Sequence, residues 1–288
     1  GKPVSCIYNA RVGKEVDFPF EKAARSKKVV VVGAGPAGLE AARVARERGH
    51  RVILFEQAGE TGGQGRLAMA APKKDRFGEI LRYLRQRTEA LGVELRLNST
   101  ADAETVLKEK PDAVILATGA RPLIPEIPVI KGQNIPTAWE VLEGKVKPGK
   151  RVAIIGGGLT GCETAEFLAE KGHQVTVLEM ADEPARDQSF TMRNELLSRL
   201  ERNPAVEIKT GATVTSVNGR TVNFRSGEGE QSLQDVDTVI LAAGSVAYNP
   251  LEGELKKHLE EVYAVGDCDR PRNAGEAIHE AFIVAYRI

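Results

Sequence analysis

The 288-residue chain sets forty lysines and arginines against forty aspartates and glutamates, so it carries no formal net charge. That balance, with no dense basic cluster, argues against nucleic acid or an anionic membrane as a partner, and the apolar runs are broken by glycine or charge well short of a membrane span. The length suits one large or two ordinary domains, while three scattered cysteines (Cys6, Cys162, Cys268) and no signal-peptide pattern suit a reducing cytoplasm.

Residues 1–26 have no clean period and contain Pro3, Gly13 and Pro19, so they read as an irregular arm. A start at Gly1 without methionine looks like the cut edge of a fragment or a processed piece. Val29 to Val32 then read as a buried parallel strand, because β-branched side chains suit a sheet covered on both faces. Gly33, Gly35 and Gly38 open a helix: the first permits the tight turn, the second lets a pyrophosphate approach, and the third lets helix and strand pack closely. The free N–H groups at that helix start carry roughly half a positive charge, which suits a diphosphate. Strand 51–55 follows and ends in Glu56, placed to accept hydrogen bonds from a ribose hydroxyl pair.

Next comes the glycine-rich loop Gln57 to Gln64, leaving the carboxyl end of a strand, where open α/β sheets bind ligands. Gly62 and Gly63 remove side chains where a nucleotide needs a close wall. Phe77, Ile80, Leu81, Leu84 and Leu91 recur at helical spacing, predicting an amphipathic helix over 73–91. Strand 93–97, helix 103–109 and strand 112–116 continue the alternation, and the last runs into Ala117-Thr118-Gly119. Pro122, Pro125 and Pro128 mark a crossing between domains.

The whole unit then recurs. Residues 151–179 run strand, Gly156-Gly157-Gly158-Leu159-Thr160-Gly161, helix, strand, Glu179. Shifting 33–56 by 123 superposes all three glycines, Glu40, Ala42, Glu47, Gly49, His50, Val52 and Glu56 on identical residues. One glycine fingerprint is weak evidence; two in one register predict two nucleotide sites. A helix near 189–203 leads to short strands near 205–209, 213–217 and 220–225, expected to form a small antiparallel excursion. Strand 238–241 ends in Ala242-Ala243-Gly244, echoing Ala117-Thr118-Gly119. The segment 262–268, with Gly266, Asp267 and Cys268, is expected to rejoin the first sheet before a helix over 274–288. The expected fold is α/β, with two nested Rossmann-like dinucleotide-binding domains, the second inserted in the first. The expected parts are an arm over 1–26, a first domain over 27–122 and 255–288, and a second over 123–254.

These stretches, Val31 to Ala42, Gly62-Gly63-Gln64, Gly156 to Glu163 and Gly266 to Arg272 with Glu276 to Ile278, resemble the two-dinucleotide flavoprotein reductases. Within them the closer likeness is to the C-terminal half of the 2,4-dienoyl-CoA reductase and trimethylamine dehydrogenase family of NADH:flavin oxidoreductases. The resemblance covers nearly the whole chain. It implies FAD in the first fold, or ADP alone as in some members, and NAD(P)H in the second. Gly33, Gly35, Pro36, Ala37, Glu56 and Gln57 would then hold the ADP half of the flavin cofactor. Gly63, Gln64 and the turn Ala117, Thr118 and Gly119 would approach the flavin side. Gly266 and Asp267 would bind the ribityl or pyrophosphate region, and the helix start around Ala277 would lie near the ring. Gly156, Gly158, Leu159, Thr160 and Glu179, with Ala243 and Gly244, would hold the nicotinamide dinucleotide. Full-length relatives add a TIM barrel with FMN and a 4Fe–4S cluster, and Ser5-Cys6-Ile7-Tyr8-Asn9 resembles the segment of the cluster's fourth ligand. The other three cluster cysteines are absent here, so no metal site is expected in this chain.

With no dithiol near either fingerprint, disulfide reduction is disfavoured. Cys162 and Cys268 read as structural, as do His50 and His173, which occupy the same turn of both repeats. No catalytic side chain is expected, because hydride transfer between nicotinamide and flavin needs position and electrostatics from the protein. A ribose 2′-phosphate about 4 Å from Glu179 would be repelled by about 1 kcal/mol per charge pair in bulk water, or about 4 at an effective dielectric of 20. Asp182 and Glu183 add to that field and Arg186 offsets part of it, so NADH is expected over NADPH. Three functional readings stand at this level: an NADH-oxidising flavin module serving an electron-accepting barrel region, an ADP-binding structural module without working flavin, and a stand-alone NADH:acceptor reductase.

Overall fold

The computed structural model describes residues 4–19, 21–129 and 133–288; Gly1 and Pro3 of the arm lie outside them. In chain order the elements begin β1 (Lys28–Val32), α1 (Pro36–Glu47), β2 (Arg51–Phe55), α2 (Gly65–Ala70), α3 (Phe77–Ala90), β3 (Glu94–Arg96), α4 (Ala103–Lys108), β4 (Ala113–Leu116) and β5 (Ala120–Pro122). They continue with α5 (Ala138–Leu142), β6 (Arg151–Ile155), α6 (Leu159–Glu170), β7 (Gln174–Leu178), α7 (Phe190–Glu201), β8 (Val206–Lys209), β9 (Thr213–Asn218), β10 (Thr221–Ser226) and β11 (Gly229–Leu233). The last are β12 (Thr238–Leu241), β13 (Ser245–Ala247), α8 (Glu252–Leu255), β14 (Val262–Ala264), a 3₁₀ turn at Gly266–Cys268 and α9 (Ala274–Arg287). Two compact units result: residues 1–69, 75–121 and 246–288, and residues 70–74 and 122–245.

The first unit is built on a parallel sheet of order β14-β4-β1-β2-β3. Side chains alternate along each strand: Val29, Val31, Val52, Leu54 and Ile115 face one core, and Val30, Val32, Ile53, Phe55 and Leu116 the other. Helices α1 and α9 cover the first face with buried alanines, among them Ala41, Ala42, Ala45, Ala277, Ala281 and Ala285, small enough for close approach. The described residues of the arm, 4–19 and 21–26, form no helix or strand; Phe18 meets Phe282 and Tyr286 edge to face, and Tyr8 meets Tyr83. Val262–Ala264 rejoins this sheet beside β4, as expected.

The second unit repeats the plan with the parallel sheet β12-β6-β7-β8. Here the expectation for 205–209 is corrected. Val206–Lys209 pairs parallel with β7, because α7 returns it to the sheet edge in the manner of a crossover helix. The antiparallel sheet is β11-β10-β9, and it includes Gly229–Leu233, a strand the sequence reading does not expect. Val217, Val222 and Phe224 of that sheet bury one face of the parallel sheet against Ala153, Ile155 and Leu241. Helices α5, α6 and α7 bury the other, around Ile154, Val177 and Ile240.

Other departures are local. The helix expected over 73–91 starts at Phe77, and Gly65–Ala70 is a separate short helix. Residues 246–254, expected in the second domain, pack with the first unit: Thr118 Oγ1 donates to the Tyr248 carbonyl, Tyr248 N–H to Gly119, and Leu255 just beyond is fully buried there. Residues 70–74 pack with the second unit.

Candidate nucleotide sites

In each sheet the chain leaves one central strand, winds outward, and crosses back to the other side of that strand. The reversal falls between β1 and β4 in the first unit and between β6 and β12 in the second. A crevice at the carboxyl ends of such strands is where open α/β sheets take ligands.

The first crevice brings the sequence-derived residues of its set together. A Cβ on Gly33 (φ +99°) would stand 2.3 Å from the Ala117 carbonyl oxygen, and one on Gly38 would stand 1.8 Å from the Gly33 carbonyl oxygen. Only glycine allows strand end, turn and helix to approach so closely. Gly35 caps α1 without a side-chain hydrogen bond, Pro36 and Ala37 open the helix, and Gly63 comes so near that its added Cβ would lie 3.1 Å from Gly35 Cα. Gln64 reaches the Ala117-Thr118-Gly119 turn, its Nε2 standing 3.2 Å from where a Gly119 Cβ would be. Gly266 sits against Ala37 and Ala277, and the neighbouring Asp267 accepts the Arg272 N–H at 3.0 Å. Burial pushes the Asp267 carboxyl upward, with Arg272 opposing. Glu56 is buried, and its carboxylate is fixed by two backbone donors, Ala34 N–H to Oε2 and Ala58 N–H to Oε1, both at 2.8 Å. Each oxygen keeps lone-pair capacity for a further donor. Gln57 follows it, exposed.

The second crevice repeats this bond for bond. A Cβ on Gly156 (φ +103°) would stand 2.4 Å from the Ala242 carbonyl oxygen, and one on Gly161 2.0 Å from that of Gly156. Glu179 accepts Gly157 N–H at 2.5 Å and Ala181 N–H at 2.7 Å. Gly156, Gly158, Leu159, Thr160, Glu179, Ala243 and Gly244 all border one cavity of about 470 Å³. The exposed Met180 and the carboxylate of Asp187 border it too, and sequence reading singled out neither.

The repeat also runs further than sequence identity shows. Gly62 N–H donates to the Ala34 carbonyl at 2.8 Å, and Ala185 N–H to the Gly157 carbonyl at 2.7 Å; Gly65 N–H donates to Gly62, and Gln188 N–H to Ala185. Every pair is related by the same shift of 123, so Gln64 and Asp187 occupy one position of a common loop. Sequence reading also missed Lys74, whose Nζ lies 2.7 Å from the buried Glu163 of α6. Burial pushes the Glu163 carboxyl upward against that cation.

The cysteines are all free thiols. Burial, reinforced by Asp187 and Glu179, pushes the Cys162 thiol up to about 12, and it donates to the Gly157 carbonyl. Burial pushes Cys268 upward as well, and its Sγ donates to the Leu116 carbonyl. Neither is a thiolate at neutral pH. The Cys6 carbonyl accepts from His279 Nε2 at 2.9 Å. Among the described residues no group of three or more His, Cys, Asp or Glu is placed to hold a metal ion, and no helix is long and apolar enough to cross a membrane.

Comparison with known proteins agrees with this architecture. The family model for pyridine nucleotide-disulphide oxidoreductases matches residues 27–281. The chain is 42% identical over 285 residues to a bilirubin reductase of Mediterraneibacter gnavus, covering 99% of this chain and 44% of that protein. It is 40% identical over 292 residues to an NADH oxidase of Thermoanaerobacter brockii, covering 98% and 44%. A solved 2-naphthoyl-CoA reductase in complex with 2-naphthoyl-CoA superposes with a TM-score of 0.91 at 35% identity, covering 99% of this chain and 43% of that one. The chain thus spans less than half the length of these relatives, and the expected resemblance to flavin reductases of the 2,4-dienoyl-CoA reductase type is borne out. From its paired glycine turns, its two parallel sheets and this match over most of its length, the chain belongs to the pyridine nucleotide-disulphide oxidoreductase family.

Proposed function

We propose that this chain is the NADH-oxidising module of a flavin-dependent oxidoreductase, with the first unit holding FAD and the second binding NADH. The observation that carries the reading is the duplicated cradle: twice, a glycine-built helix start faces a carboxylate already locked by backbone donors. The family implies FAD and NAD(P)H, and the residues present fit such groups. Gly33 and Gly63 close the turn against Ala117 and Gly35, Gly35 leaves the start of α1 without a side chain where a diphosphate would lie, and Glu56 offers ribose hydroxyls two aligned oxygens. FAD, when bound there, supplies the hydride acceptor.

What the chain's own residues contribute is binding and orientation. Glu179, with its carboxylate held by Gly157 and Ala181, is set to accept ribose hydroxyls and to repel a 2′-phosphate. The nearby cations are engaged: Arg186 pairs with Asp182 and lies 4.0 Å from Glu183, and Arg193 pairs with Glu183 at 3.1 Å. That supports NADH over NADPH, and kcat/KM should be higher for NADH. The electron-accepting region, by resemblance an FMN and 4Fe–4S barrel with Cys6 as one cluster ligand, would lie outside residues 1–288. Cytoplasmic placement belongs to the same proposal.

The test is an absorbance spectrum of the purified protein, repeated after anaerobic addition of NADH. Oxidised-flavin bands that bleach with NADH, and FAD in the heat-released supernatant, are expected. A colourless protein that takes up ADP but not FAD would replace this reading with the ADP-binding module.

A further inference from the structure

The two cradles differ at one position of their common loop. In the first unit that position is Gln64, and the start of α1 has no side-chain cap; the nearest atom to a Cβ on Gly35 is Gly63 Cα, at 4.0 Å. In the second unit it is Asp187, and its carboxylate comes back onto the helix start. Leu159 N–H lies 2.9 Å from Oδ1 and 3.2 Å from Oδ2, and a Cβ on Gly158 would meet Oδ2 at 3.5 Å. The loop is fixed in this pose by the Ala185 to Gly157 and Gln188 to Ala185 backbone bonds. Among the described residues Asp187 forms no ion pair, since Arg186 and Arg193 are turned to Asp182 and Glu183. Its negative charge therefore rests against the helix amide alone.

We propose that Asp187 is an internal competitor for the diphosphate of the nicotinamide dinucleotide and sets the affinity of the second site. This rests on the reading of the second unit as the dinucleotide site. The amide of Leu159 is one of those a glycine fingerprint offers to an anion, and here a carboxylate of the same chain already takes it. Binding brings a diphosphate to the same place, so the Asp187 carboxylate must give up the Leu159 amide and stays beside the diphosphate as a like charge. The first unit, with an uncharged glutamine in register, has no such competitor. A fixed internal anion makes the second ligand exchangeable, as a substrate must be, while leaving the first site free to retain its ligand.

The test compares wild-type holoprotein with Asp187→Asn and Asp187→Gln, the latter installing the first unit's residue. Titration calorimetry would measure the Kd of ADP-ribose, which carries the diphosphate without the nicotinamide ring, at low and high salt. Both variants should bind about fivefold tighter at low salt, the effect of one like-charge pair about 4 Å apart in bulk water. The gain should shrink as salt screens the pair. Thermal melting of each variant checks that it is folded. Equal or weaker binding by both folded variants, with wild-type binding intact, overturns the competitor. Failure of every form to bind ADP-ribose refutes the dinucleotide reading of the second unit, and the competitor with it.

Discussion

The two units are copies of one design that keep their backbone and change their side chains. Helix α1 buries Glu40, 1% exposed, and answers it from within: Arg43, one turn on, grips both oxygens at 2.7 Å and also reaches Glu47. Helix α6 buries the equivalent Glu163, but the position matching Arg43 is itself an acid, Glu166. Glu166 is paired with Arg199 of α7, and Glu163 with Lys74 from a remote stretch of chain. The same inherited carboxylate is thus stabilised locally in one copy and by imported cations in the other. Backbone bonds that build the crevice tolerate little change, whereas the partners of a buried charge can be replaced so long as some cation remains.

The largest effect should come from what the copies share. Gly38→Ala and Gly161→Ala each drive a methyl group into a carbonyl oxygen, so each should cost at least about 3 kcal/mol in denaturant titrations. If either variant proved as stable as wild type, strand–helix closeness would not be what the glycines secure. Next comes the contrast in ion pairs. Arg43→Met leaves Glu40 buried without a partner and should cost about 3–5 kcal/mol. Lys74→Met should cost less, about 1–3 kcal/mol, because Lys74 and Glu163 retain 26% and 12% side-chain exposure. The reverse order of stabilities would break the comparison.

A subtler difference is visible in acid. Hydrogen bonds from Lys28 and Arg96 hold the Glu109 carboxyl of the first unit down at about 2. Its folded value lies below its unfolded one, so the stability it lends is full above the ordinary carboxyl range and is lost as pH falls toward about 2. Glu163 runs the other way: burial raises its folded value, so the protonated form favours folding and deprotonation weighs against it. Carbon-detected NMR should find Glu109 titrating far below a free glutamate, and Glu109→Gln should flatten the acid limb of the stability curve. The smallest effect should be at helix caps. Thr137→Ala, which dismantles the capping box with Glu140 in the second unit, should cost about 1 kcal/mol by chemical denaturation, and Asp102→Ala, which frees Thr105 N–H in the first, should destabilise in the same direction.

Much of this could be read from sequence because it depends on residue types that few alternatives replace. Gly33, Gly35, Gly38 and their counterparts marked the turns, and Glu56 and Glu179 marked the strand ends. The valine run marked a strand buried on both faces. The equivalence of the loops 57–65 and 180–188 could not be read that way. Ala58 with Ala181 and Glu60 with Glu183 are their sole identities, while the bonds that make them one loop join backbone atoms, which any residue supplies. Asp187 therefore carries no mark in the sequence, an ordinary acid in a polar stretch. The sheet to which Val206–Lys209 belongs is hidden in the sequence for a related reason. A short edge strand shows the same alternation whether its neighbour runs parallel or antiparallel, and only the crossover before it decides. Lys74 was invisible because nothing local marks a lysine whose partner lies far along the chain.

That lysine has a consequence for anyone who would graft this protein. Residues 122–245 look like a self-contained cassette, ready to be exchanged between relatives to alter cofactor choice. Yet the second unit also owns residues 70–74, which are threaded in from between α2 and α3. A transplant of 122–245 alone would arrive with Glu163 buried and its ammonium left behind in the donor. The true unit of exchange is discontinuous, and a swap that carries 70–74 along with the cassette should be the one that yields folded protein.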